Sequence, residues 1–190
     1  MAFKTIEWVQ DRLRLIDQTL LPEQQSYIEC RSMEEVYEAI QQMRVRGAPA
    51  IGITAAFGTV LGLQNTKTTD YLDFYQQAKK VTNYLRVSRP TAINLFHALN
   101  RMLRVVEQNR NMPVSDIKIA LLTEAKMIYD DERVASQKIG DYGARLLPHE
   151  CTILTHSAGP RSSAASCPAG FRCRARRRRA AAHRPPRDGR

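Results

Sequence analysis

The sequence predicts an α+β fold. A mostly helical domain with a small β portion is expected over residues 1–148, the first strand of an α/β unit over 149–156, and a disordered tail over 157–190. Three observations predict it. Apolar residues recur at helical spacing in successive segments from Met33 to Leu146, each opened by a cap or a proline. A short β-branched run, Cys151–His156, follows Pro148. Composition then changes abruptly at Ser157.

The elements follow in order. Ile6 and Trp8, then Leu13 and Leu15, alternate loosely within Thr5–Leu21 and predict short strands ending at Pro22; Ser26–Cys30 is a further strand candidate. Ser32-Met33-Glu34-Glu35 has the form of a capping box, and Met33, Val36, Tyr37, Ile40 and Met43 share one helical face behind it. Pro49 suits the first turn of a second helix, Ala50–Leu63, which is apolar nearly all round and belongs at the domain centre. Asp70–Leu85 makes a third helix. Ser88-Arg89-Pro90-Thr91 restarts a fourth, with Leu95, Leu99, Met102 and Val106 as its stripe. Pro113 and Ser115 open a long fifth segment, whose inner face runs from Ile117, Leu121, Ala125 and Ile128 on to Ile139, Tyr142 and Leu146.

The net charge of +10 would ordinarily suggest a polyanionic partner. It is localised, however: residues 157–190 hold ten Arg and one Asp, leaving residues 1–156 at a net of +1. In that tail Ala, Arg, Pro, Gly and Ser fill 29 of 34 positions, and Phe171 is the only large hydrophobe. Such a segment buries too little apolar surface to offset its ordering entropy. A basic arm for nucleic acid, an idle solvated tail and translation out of frame all fit this composition. The absence of Lys from the tail favours the last, so a nucleic-acid role is not expected. No secretory signal opens the chain, and the run Ala48–Leu63, 16 residues broken by three glycines, suits a buried helix better than a membrane span. Cys30, Cys151, Cys167 and Cys173 show neither metal spacing nor a disulfide framework, so a reducing cytoplasm is expected, with no metal and no cofactor.

Met43-Arg44-Val45-Arg46-Gly47-Ala48-Pro49-Ala50-Ile51-Gly52 resembles the M-x-V-R-G-A-P-A-I-G segment of methylthioribose-1-phosphate isomerases, which share a superfamily with the regulatory subunits of translation initiation factor 2B. Ser88-Arg89-Pro90-Thr91-Ala92-Ile93-Asn94-Leu95 is similar to that family's S-R-P-T-A-V-N-L. Ile139-Gly140 with Gly143 fits the end of its helical domain, and Ile153-Leu154-Thr155-His156 its strand before a Cys-Asn-Ala-Gly turn. The resemblance covers residues 1–156 and implies that the strand opens a Rossmann-like domain. It also implies isomerisation of 5-methylthioribose 1-phosphate to its ribulose isomer in methionine salvage, by a cytoplasmic homodimer. At the turn the match stops, since Ser157-Ala158-Gly159-Pro160 stands there. The expectation is a truncated, frame-shifted and inactive member. A non-enzymatic binding subunit like those of initiation factor 2B, or nucleic-acid binding through the Arg-rich tail, is the alternative.

The phosphate grip is physically legible. Arg46 precedes a buried helix, and Gly47 and Ala48 offer backbone N–H groups at its positive end. On the residues alone this is better read as a turn into a core helix; the resemblance makes it a substrate contact. Arg89, before the next helix, is likewise a surface arginine on its own terms and a substrate-binding one by resemblance. The same resemblance puts Ser157 at the catalytic cysteine position, where a hydroxyl is a poor thiolate substitute. Cys151 reads as structural, His97 as structural or exposed, His156 receives no role, and Asp130, Asp131 and Glu132 read as a solvated face.

Overall fold

The β portion forms first along the chain. β1 (Ile6–Val9) and β2 (Arg12–Ile16) pair antiparallel, with Ile6 opposite Leu15 and Trp8 opposite Leu13. Gln10 and Asp11 between them have φ of 49° and 57°. This left-handed pair matches the twist of a two-residue hairpin. β3 (Tyr27–Cys30) joins the other edge of β2, setting Leu13 against Cys30 and Leu15 against Ile28. The computed structural model describes residues 4–146, with the backbone of residues 152–153 and 174–175.

α1 (Met33–Gln41) starts at the expected box. Ser32 Oγ accepts from the Glu35 amide at 3.4 Å, and the Glu35 carboxylate accepts in turn from the Arg31 amide at 2.5 Å. The helix stops before Met43, which takes a left-handed φ of 55°. α2 (Ala48–Gln64) is buried from Ala50 to Leu61 and packs against α1, the sheet and the three later helices. α3 (Tyr71–Arg86), α4 (Ile93–Gln108) and α5 (Val114–Arg145) complete a helical layer around it, so the chain is mostly helical with a small three-stranded antiparallel sheet.

Two expectations need correction. The fourth helix begins at Ile93 and not at Ser88–Thr91. Ser88 turns back onto α3, its amide and hydroxyl both donating to the Leu85 carbonyl at 3.1 and 2.6 Å. Arg89–Ala92 then forms a turn closed by Ala92 N–H to Arg89 C=O at 3.1 Å, with Pro90 at the position where its fixed φ is favourable. The inner face of α5 also ends earlier. Ile117, Leu121, Ala125 and Ile128 are buried, but Ile139 is 74% exposed and Leu146 85%. The helix outruns α2 and α4, the elements it packs on.

Thr152–Ile153 (β4) pairs in parallel with Arg174–Ala175 (β5), so these two tail residues are extended. The rest of residues 147–190, including Cys151, His156, Ser157, Cys167 and Cys173, lies outside the described residues.

Candidate functional site

The two helices that open with the sequence motifs start differently from the others. Ser32 and Asp70 cap α1 and α3 through their side chains, and acidic residues stand in the first turns of α1, α3 and α5. α2 and α4 begin at Gly47 and Ala92, with no side-chain cap and no acidic residue in the first turn. Their leading N–H groups and the positive ends of their dipoles are therefore left for something else. Gly47 has φ 98° and ψ 131°, a conformation suited to glycine, with open space where a Cβ would stand.

Glycine contacts show how these starts are placed. A Cβ at Gly62 would lie 2.7 Å from Val81, and one at Gly58 would lie 3.2 Å from Leu85. Moving back one turn on α2 thus moves forward one turn on α3. The helices are antiparallel, and the end of α3 with its Arg89 turn approaches the first turns of α2. On another side, a Cβ at Gly52 would meet the Asn94 carbonyl oxygen at 2.9 Å, so the first turns of α4 press directly on α2. Arg46, Gly47, Ala48 and the Arg89 turn therefore belong to the same end of the domain.

The segment before α2 is held from below. Val45 is buried, and the Arg44 and Val45 amides both donate to the Ala39 carbonyl. Gln18 Nε2 donates to the Arg46 carbonyl at 3.3 Å. Arg44 bonds the buried Asp17 carboxylate at 2.7 Å, and Asp17 also accepts from the amide and hydroxyl of Thr19. Burial would raise the Asp17 carboxyl, but the hydrogen bonds from Thr19 and Arg44 outweigh it and hold the group below its usual range. The Arg46 side chain is exposed and folds back so that Nε donates to the Met43 carbonyl at 3.2 Å.

Among the described residues the buried side-chain polar atoms without a hydrogen-bond partner are Thr54 Oγ1, Arg86 Nε and Arg89 Nη1. All three belong to the early turns of α2 or to the α3–α4 junction. Unpaired buried donors are costly, and here they gather beside two uncapped helix starts. Thr54 was legible as a polar residue in an apolar helix; nothing in the sequence singled out Arg86.

A cavity of about 500 Å³ lies against the same end of α2, on its α4–α5 side. Pro49, Gly52, Asn94, His97, Arg101 and Glu132 line it, so it begins one residue after Ala48. Neither Arg46 nor Arg89 lines it. His97 is exposed at its wall, as one of the two sequence readings had it. Asp130 and Asp131 of the acidic cluster are exposed, as expected of a solvated face, while Glu132 is half-buried at the cavity. Asp131 also bonds Arg101 across α4 and α5 at 2.8 Å, and Glu124 bonds the same guanidinium. Asp130 accepts from its helix neighbour Arg133 at 3.5 Å. A smaller cavity of about 370 Å³ opens near Val60 and Gln64, at the opposite end of α2.

Cys30 is 2% exposed, and burial, with Glu35 and Glu38 nearby, pushes its thiol up to about 12. It is a core residue and not a nucleophile. Among the described residues no cluster of metal-ligating side chains occurs, and no helix is long and apolar enough to cross a membrane.

Residues 44–178 match the initiation factor 2 subunit family. A curated methylthioribose-1-phosphate isomerase from Geobacter sulfurreducens is 42% identical over 156 residues, covering 82% of this chain and 45% of the relative. A 5-deoxyribose 1-phosphate isomerase from Petrotoga mobilis is 43% identical over 148 residues, covering 78% of this chain and 43% of the relative. The crystal structure of 5-methylthioribose 1-phosphate isomerase from Pyrococcus horikoshii superposes with a TM-score of 0.79 at 34% identity, over 86% of this chain and 48% of that one. Subunit delta of translation initiation factor 2B from A. fulgidus gives the same TM-score at 32% identity, over 92% and 54%. The chain thus spans less than half the length of these two curated relatives.

Proposed function

The chain belongs to the initiation factor 2 subunit family, and from that premise we propose that it carries the phosphate-gripping part of an aldose–ketose isomerase of methionine salvage. The substrate is 5-methylthioribose 1-phosphate and the product its ribulose isomer. One observation carries the reading: two uncapped, acid-free helix starts, preceded by Arg46 and Arg89, meet at one end of α2 beside unpaired buried donors. A phosphate dianion supplies an acceptor for Arg89 Nη1 and for the leading amides. The amides of Ala48 and Ala50 and the two guanidiniums are its donors, Pro49 having none to give. Gly47 lets the ligand come close to the backbone.

The names of the sequence relatives favour the isomerase. Shape alone does not decide, because the isomerase and the initiation-factor subunit superpose equally well. Isomerisation moves hydrogen between C1 and C2, for which this chain offers Ser157 at the position of the family's cysteine. The proposal therefore includes binding without turnover, a helical domain over 1–148, a Rossmann-like continuation from 149, an out-of-frame segment from Ser157, and a cytoplasmic homodimer.

Calorimetric titration of the purified chain with 5-methylthioribose 1-phosphate tests the function, followed by an assay for the ribulose product. Binding displaced by inorganic phosphate, with no product, is expected. Absence of binding would defeat the reading, and turnover would defeat the part assigned to Ser157. Reading the gene through the codons for Cys151–Gly170 in all three frames tests the tail. Another frame continuing into a full α/β domain is the expected result.

A further inference from the structure

We propose that Arg86 is a positioning residue, which ties α3 to α4 across the turn carrying Arg89 and so holds Arg89 at the anion site. This rests on the phosphate-binding reading above.

Arg86 is the last residue of α3. Its Nη2 donates to Asn100 Oδ1 at 2.7 Å, and its guanidinium carbon stands 5.5 Å from the centre of the Phe96 ring. Both partners lie on α4, so one side chain bridges the two helices outside the loop Val87–Ala92. That loop has its own backbone hydrogen bonds at each end, from Ser88 to Leu85 and from Ala92 to Arg89. They shape the turn locally, and apolar packing of α3 on α4 sets the two helices against each other. The Arg86 bridge adds a directional polar tie at the loop itself, within three residues of Arg89.

The chemistry suits arginine and not lysine. A planar guanidinium can stack on Phe96 with one face and donate to Asn100 along an edge, which a compact ammonium cannot reproduce. Asn100 is exposed, so the bridge lies outside the apolar core. A contact of this kind contributes little to global stability; its consequence is where Arg89 points.

The test is a mutant cycle on the full chain, read by affinity for 5-methylthioribose 1-phosphate together with thermal midpoints. R89A is expected to weaken binding by about 10-fold or more, as loss of a charged hydrogen bond does. R86A is expected to weaken it by about 3- to 10-fold, and R86A/R89A to equal R89A alone, since coupled sites are not additive. N100A removes only the acceptor from an exposed position and should act in the same direction by about 2-fold, which keeps the idea testable if R86A folds poorly. R86K should fail to restore affinity. If the R86A and R89A losses multiply, or if R86A and N100A both leave affinity unchanged, the positioning role is wrong while the anion site stands. If the unmodified chain binds no sugar phosphate, the functional reading fails and this inference falls with it.

Discussion

α1 and α3 on one side, and α2 and α4 on the other, are helices of one small domain that treat their N-termini in opposite ways. Ser32 and Asp70 close the first pair with a side-chain oxygen, and Glu34, Glu35 and Asp73 balance their dipoles. Gly47 and Ala92 leave the second pair open, with arginines upstream and no acid in the first turn. A cap is worth about 1 kcal/mol to a protein. α2 and α4 forgo both a side-chain cap and a first-turn acid, at one end of the domain, and on the reading proposed above that stability is given up for an anionic ligand.

The largest effect expected from breaking this contrast is loss of binding. R46A/R89A should weaken affinity for the sugar phosphate by about 100-fold or more, each charged hydrogen bond contributing roughly 1.5–3 kcal/mol. Calorimetry checks it, with an unchanged thermal midpoint showing that the fold is intact. Next, the two classes of helix start can be interchanged. Ala92 already has the extended backbone of a cap residue, so A92D should raise stability by about 0.5–2 kcal/mol and weaken phosphate binding. S32A and D70A should lower stability by a similar amount, about 0.5–2 kcal/mol, and leave binding alone. Denaturant unfolding of the three variants measures both halves of the exchange.

The buried carboxylate beneath Arg44 gives a pH signature. Asp17 is held below its ordinary value of 3.8 in the folded protein. Its contribution is therefore complete above that value and is lost as pH falls further, through the lower folded value. D17N should flatten the acid limb of a stability-against-pH curve and destabilise the protein at neutral pH by about 1–3 kcal/mol. The smallest effect concerns Cys30. Its buried thiol should resist alkylation in native protein at pH 8 and react on unfolding, which mass spectrometry reads directly.

Much of the fold was legible because its signals are local. The Ser32 box, Pro49 and the all-apolar face of α2 each announce themselves within a few residues. The start of α4 was misread because Ser88 and Pro90 suit a helix opening and a turn equally well, and only the Leu85 carbonyl decides between them. The stripe on α5 continues to Leu146 in sequence, but periodicity cannot show where neighbouring helices stop. Of the candidate site, Arg46, Gly47, Ala48 and Arg89 were singled out through motifs. Their shared location depends on Gly52, Gly58 and Gly62 as points of close approach, which a one-dimensional reading sees only as interruptions. Asp17 and Arg86 act through partners 27 and 14 residues away, a distance at which the sequence carries no signal.

The most direct test of the open helix starts is an amide NMR titration of the chain with inorganic phosphate and then 5-methylthioribose 1-phosphate. Saturable shifts are expected at Ala48, Ala50 and the Arg89–Ile93 segment, with the capped starts after Ser32 and Asp70 unmoved. Equal shifts at all four starts, or none at α2 and α4, would contradict an anion site built from their uncapped ends.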